Sequence, residues 1–152
     1  MNRREALMST GAILVSASAG AIACGAHNAV AGATATPTAG GGSPDHALAD
    51  AAHDCVHHGD ECIQHCIGML ASGDTTMIGC LKAAQEMVAV SEALAKLALM
   101  GSSRLGVLAK AAVEFCTACE AECRKHAGHH EVCRACADAC AKTVTSAKKY
   151  VS

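Results

Sequence analysis

Aromatic side chains are almost missing from this 152-residue chain: Phe115 and Tyr150 carry its sole phenyl and phenol rings, and tryptophan is absent. A surface that reads nucleic-acid bases uses such rings as stacking platforms, so composition argues for no nucleic acid partner, and the net charge of −2 adds to the argument. Proline is nearly as scarce, with Pro37 and Pro44 alone, so nothing beyond residue 44 breaks a helix by that route. No stretch alternates apolar and polar residues with the period of two that a half-buried strand requires. No stretch is apolar enough for a stable membrane span either. What remains to build a core is Ala, Leu, Val, Met and Cys.

The first residues read as a targeting segment. Asn2-Arg3-Arg4-Glu5-Ala6-Leu7 supplies a twin arginine followed by leucine, and Ala12 to Ala23 a mild apolar region, the parts of a Tat signal. Small residues in Ala29-Val30-Ala31 fit cleavage after Ala31, so residues 1–31 are expected to be a Tat signal peptide and the mature protein exported and periplasmic. Ala21-Ile22-Ala23-Cys24 is a poor lipobox without the usual leucine, which leaves lipid attachment at Cys24 as the minor alternative. Cleavage removes Arg3, Arg4 and Glu5 and leaves ten basic and thirteen acidic residues, a charge of −3. Residues 32–43 are rich in Gly, Ala and Thr with no hydrophobic period and read as a flexible linker, followed by one domain over 44–152.

In that domain Ser43-Pro44-Asp45 offers an N-cap, a proline at the first helical position and an acidic first turn, and predicts a helix to about Ala71. Ser72-Gly73 ends it. Asp74 caps a second helix to Met100, Gly101-Ser102 separates it from a third over Ser103 to Ala127, and Gly128 precedes a fourth from His129 to about Tyr150. Lys148 and Lys149 suit the dipole of its last turns. Segments of about 33 to 40 Å joined by short turns predict an all-α, antiparallel up-down-up-down four-helix bundle.

Ten of the eleven cysteines fall inside these helices. Cys116, Cys119 and Cys123 repeat the C-x-x-C-x-x-x-C spacing of Cys133, Cys136 and Cys140, while Cys55, Cys62 and Cys66 form a variant on the first helix. At about 100° per residue each triplet lies within roughly 60° of arc, so three helices each present a column of sulfur to a common interior. Measured from the turns at Ser72-Gly73 and Gly128, Cys66, Cys80, Cys123 and Cys133 should form a ring. Deeper come Cys62, Cys119 and Cys136, then Cys116 and Cys140, with Cys55 deepest. On the second helix Met87 lies one heptad after Cys80, and the small Ala84 and Ser91 share its face.

A core lined with thiols suits soft metal ions, and thioethers beside them favour Cu(I) over hard, oxygen-seeking ions. Met69 projects on the face of Cys62 and Cys66, Met77 lies about 60° from Cys80, and His126, His129 and His130 cluster at the same turn. These residues form a candidate port for ions, set against core filling by the methionines and a solvated turn for the histidines. His46, His53 and His57 point away from the cysteine column and read as surface; His58 and His65 flank it, placed to cap a peripheral ion. At the other end Leu94, Leu97, Leu105, Leu108 and Val144 should pack as an ordinary apolar core without thiol neighbours.

Other uses of cysteine fit less well. A disulfide scaffold links loops in a short exported chain, whereas these cysteines lie within helices, and neighbours three or four apart on one helix are poorly placed for the bridge. A structural zinc site needs four ligands, and iron–sulfur carriers usually use loop-borne cysteines. Cys116-Thr117-Ala118-Cys119 lacks the βαβ setting of a thioredoxin-like motif. No nucleophile, base and orienting acid recur at catalytic spacings, so the chain reads as no enzyme. The reading from a different class is a redox- or zinc-responsive interaction protein with a cysteine switch.

With its twin-arginine leader, four helical segments and two C-x-x-C-x-x-x-C runs, the chain resembles the bacterial four-helix-bundle copper storage proteins over residues 44 to 150. The resemblance implies multiple Cu(I) ions held inside one bundle by Cys55, Cys62, Cys66, Cys80, Cys116, Cys119, Cys123, Cys133, Cys136 and Cys140. It implies assembly as a homo-tetramer within the family's range. It also implies copper delivery to a client copper enzyme or copper chaperone, as the exported branch feeds particulate methane monooxygenase. Exported members carry more cysteine on the second helix than the lone Cys80 here, which implies lower capacity.

Overall fold

The computed structural model describes residues 42–151; the expected signal peptide and nearly all of the linker lie outside them. Asp45 adopts an extended conformation and its side chain accepts a hydrogen bond from the Leu48 amide, satisfying one of the free donors of the first turn and starting α1, His46–Ala71. The cap is thus Asp45, not Ser43, and Pro44 stands before the helix rather than at its first position. Gly73, at a φ of 94°, supplies the left-handed residue that stops α1. Asp74 then accepts from the amide and hydroxyl of Thr76, at 3.0 and 2.6 Å, and starts a 3₁₀ turn, Thr75–Met77, that leads into α2, Ile78–Leu99.

Gly101, at φ 57°, ends that helix in the same way. Helix α3 spans Leu105–Arg124 and α4 spans Glu131–Ala147, followed by a 3₁₀ turn, Lys148–Tyr150. Both are shorter than expected, because residues 102–104 and 125–130 are spent on turns bonded back to the preceding helix: Ser102 donates to the Leu97 carbonyl, and His126 to that of Cys123. The last turn tightens where Tyr150 reaches back to Asp45, its hydroxyl donating to the carboxylate at 2.5 Å. Among the described residues there is no strand, and no helix is long and apolar enough to cross a membrane.

Each helix packs on its sequence neighbours, and α4 closes on α1. The Asp45 amide donates to the Ala98 carbonyl, joining the start of α1 to the end of α2, while Cys62 near the end of α1 meets Cys80 at the start of α2. These are the contacts of antiparallel neighbours. Two cores result. One end is aliphatic: Leu48, Leu94 and Leu105 pack among Ala49, Ala52, Ala95, Ala98, Ala109, Ala112 and Ala147, with Leu97 and Leu108 against them. Each buried leucine contributes about 2 kcal/mol, and the alanines let the helices approach closely. The other end contains all ten cysteines of the bundle, each fully buried. Val144, expected at the aliphatic end, belongs to this second cluster. It follows Cys140 by one turn of α4, and Cys140 lies beside Cys55.

Candidate metal centre

The cysteine spacing on α1, α3 and α4 does what helix geometry requires of it, turning each triplet onto one buried face. All ten thiols are free. Near the α1–α2 connection, Cys80 is the hub: its sulfur lies 3.5 Å from Cys62 and 3.3 Å from Cys123, and Cys62 is 3.8 Å from Cys123. Cys119 lies 3.9 Å from both Cys123 and Cys136. Further along, Cys55 is 3.7 Å from Cys140 and shares a cluster with Cys116. The sulfurs therefore form a chain of overlapping triads, Cys62–Cys66–Cys80, Cys62–Cys123–Cys136, Cys119–Cys136–Cys140 and Cys55–Cys116–Cys140, with ligand atoms within 4.8 Å in each.

Such separations are far longer than the roughly 2.05 Å of a disulfide bond. They suit a shared ion. Three sulfurs about 4 Å apart are each about 2.3 Å from their common centre, the length of a zinc–thiolate bond and so of the scale a first-row metal needs. Because Cys62, Cys136 and Cys140 each belong to two triads, one thiolate can bridge neighbouring ions.

The ladder differs from the one counted along the sequence at α1: Cys62, expected one layer deeper than a ring of Cys66, Cys80, Cys123 and Cys133, itself lies 3.5 Å from Cys80 and 3.8 Å from Cys123. Cys55 does not stand alone as the deepest thiol; it is level with Cys116 and Cys140. Counting residues from the two turns placed it about five residues deeper, roughly 7.5 Å at 1.5 Å per residue, so α1 sits more than one turn further toward the connection than equal turns would put it. The closing layer there contains Met87, whose Sδ is 3.1 Å from Cys55 Sγ, and Ser91, whose hydroxyl lies 3.5 Å from Met87 Sδ and 3.9 Å from Cys116 Sγ. Gly59 makes this possible. A Cβ at that position would come within 2.5 Å of Val88 Cγ2 and 2.7 Å of Met87 Cε, so only a hydrogen lets α2 bring its thioether over the thiols. Sequence reading missed Gly59; its signal is its place on the cysteine face, between Cys55 and Cys62.

Met77 is fully buried in the thiol cluster, and Met69 packs against it half-buried. Of the turn histidines, His130 pairs with His65 across the bundle, Nδ1 to Nε2 at 3.0 Å, and His126 lies 6.5 Å from His130 between ring centres. His129 is exposed. The structure thus brings His65 into the group, where the sequence had placed it only beside the cysteine column.

Packing so many thiols together splits their acidity. Cys80 is pulled well below the usual thiol range by hydrogen bonds from Cys123, Cys133 and Cys62, and Cys136 by those from Cys119 and Cys123. Cys55 is lowered to about 4, chiefly by Cys116 and Cys140. Burial, with Cys80 beside it, pushes Cys66 up to about 12. Burial disfavours charge on every thiol, and where neighbouring S–H groups donate to one sulfur they favour the thiolate there. Among the described residues no carboxylate is buried, so the centre is built of soft donors.

The sequence profile of the copper storage protein family matches residues 43–152. This chain belongs to that family. Its bundle is also similar to the solved copper storage protein Ccsp of Streptomyces lividans, a structure loaded with 10 copper equivalents, at 23% identity and a TM-score of 0.63, covering 68% of this chain and 80% of that one. That likeness supports the four-helix fold. No curated protein matches the chain. Family membership gives the overlapping thiol triads copper as their cargo, and Cu(I) is among the ions that soft sulfur donors select.

Proposed function

We propose that this protein binds and stores multiple Cu(I) ions through the thiolates of its bundle core, as a sequestering or supplying protein rather than an enzyme. The observation that carries the proposal is the run of overlapping triads that links nine of the ten buried free thiols, with the tenth, Cys133, buried in the same cluster. A single structural ion would need four ligands; ten thiols clustered in one core hold on the order of ten ions if each Cu(I) takes two thiolates and each thiolate bridges two ions. The aliphatic end keeps the bundle closed with or without cargo. The Arg3-Arg4 leader supports export through Tat to the periplasm, where stored copper serves a client copper enzyme or is simply withheld. Assembly as a homo-tetramer is part of the same proposal by family resemblance.

Copper K-edge X-ray absorption on the loaded protein tests the coordination. The expected result is a first shell of sulfur alone, with copper–copper scattering from bridged ions. A shell dominated by nitrogen or oxygen, or isolated ions without copper neighbours, would overturn the proposal.

A further inference from the structure

One group of metal-ligating side chains stands outside the thiol core. On the solvent side of α1, His57, His58 and Glu61 have ligand atoms within 4.8 Å of one another. We propose that they form a second, surface site for a divalent first-row cation of the Zn²⁺ or Cu²⁺ kind, separate from the Cu(I) core.

The geometry comes from helix spacing. Glu61 follows His57 by four residues and His58 by three, so it faces both across one turn. Its Oε1 lies 3.7 Å from His57 Nε2, and its Oε2 lies 3.1 Å from His58 Nδ1. Ligand atoms on one tetrahedral ion with bonds of about 2.1 Å are about 3.4 Å apart, and the two observed distances bracket that edge. Small side-chain adjustments would close the triad on an ion.

A fourth residue orients the site. Asp54 places Oδ1 3.6 Å from His58 Nε2, while its other oxygen is 3.6 Å from Lys142 Nζ on α4. Once Glu61 turns onto an ion, Asp54 is the carboxylate left facing His58; it favours the proton on Nε2 and leaves the lone pair of Nδ1 toward the cation. Lys142 holds Asp54 in that position. Asp54 is therefore a positioning residue, and the ligand set is two imidazole nitrogens and one carboxylate, with open positions for water.

The donors decide the class of ion. Imidazole with carboxylate suits borderline divalent ions, whereas Cu(I) prefers the sulfurs. His57 is 68% exposed and Cys55 and Cys62 are fully buried, so the surface site opens to solvent while the thiols of the same helix face the interior. The chain then sorts ions by softness, with divalent ions on the surface and monovalent copper inside.

The test is an anaerobic calorimetric titration of Zn²⁺ into the full-length protein loaded with Cu(I), beside the His57→Ala/His58→Ala double variant. One Zn²⁺ per chain is expected in the wild type, lost in the double variant, and bound about tenfold more weakly by Asp54→Asn with the stoichiometry kept. All three substitutions leave the buried face of α1 intact. The same comparison in reduced, copper-free protein should again differ by one Zn²⁺, since thiol sites add equally to both chains; a failure of copper storage is thereby told apart from a failure of this site. Equal Zn²⁺ counts in wild type and double variant would overturn the proposal. So would loss of the ion in His126→Ala/His130→Ala instead, which would place it at the turn.

Discussion

Met87 on α2 and Gly59 on α1 fit each other: the methyl end of the thioether occupies the space where a side chain at Gly59 would begin, 2.7 Å from its would-be Cβ, and the sulfur comes to rest 3.1 Å from Cys55 Sγ. Gly59→Ala should therefore destabilise the bundle. Alanine gains about 1 kcal/mol in helix propensity, but overpacking costs about 1–3 kcal/mol, and the branched Val88 at 2.5 Å has little freedom to retreat. A net loss of about 1 kcal/mol in urea unfolding is expected, with a smaller copper capacity. A variant as stable as the wild type would show that α2 has room to shift.

Cys80 is the only cysteine on α2 and the hub between Cys62 and Cys123. Cys80→Ala should lower Cu(I) capacity by about one ion while the helical circular dichroism is unchanged, because the neighbouring triads retain their own sulfurs. Loss of most of the capacity would mean that filling is cooperative through this residue.

At the opposite end, Asp45 ties the termini of the bundle together. Its carboxylate takes a hydrogen bond from Lys149 at 2.6 Å, one from Tyr150 at 2.5 Å and one from the Leu48 amide. These partners, Lys149 first, hold its pKa far below the ordinary carboxylate value of 3.8. A depressed folded-state pKa means that the stabilisation is fully present above the unfolded value and is lost as pH falls through the lower one. Thermal stability of the copper-free protein should thus decline below about pH 4, and less steeply in Asp45→Asn. An unchanged acid profile in that variant would assign the decline to other groups.

The helical ladder was readable in the chain because a stripe of cysteines has the period of a helix, and Gly73 and Gly101 mark ends with the only backbone that fits there. The burial of nine of the ten thiols followed from the same period, and Cys80, alone on α2, was placed by its distance from the turn. What escaped was relative height. Residue counting sets depth along one helix but not the offset between helices, which depends on the turns at 72–77 and 125–130 and on who packs against whom. Hence Cys55, Cys62 and Val144 were each placed in the wrong layer. Gly59 was missed for a related reason: its place on the cysteine face is legible, but its role lies in what α2 places opposite it. The His65–His130 pair likewise depends on two helices meeting, which no single-helix period reports.

The central claim is capacity, and the most direct measurement is an anaerobic Cu(I) titration of the reduced protein against a competing chromogenic chelator, counting the ions taken before the chelator captures any. The account predicts about ten ions per chain, with retention weakening as pH falls because protons compete for the thiolates, and a rise in melting temperature on loading. Saturation at one or two ions would contradict it and leave a cysteine switch as the better description of this core.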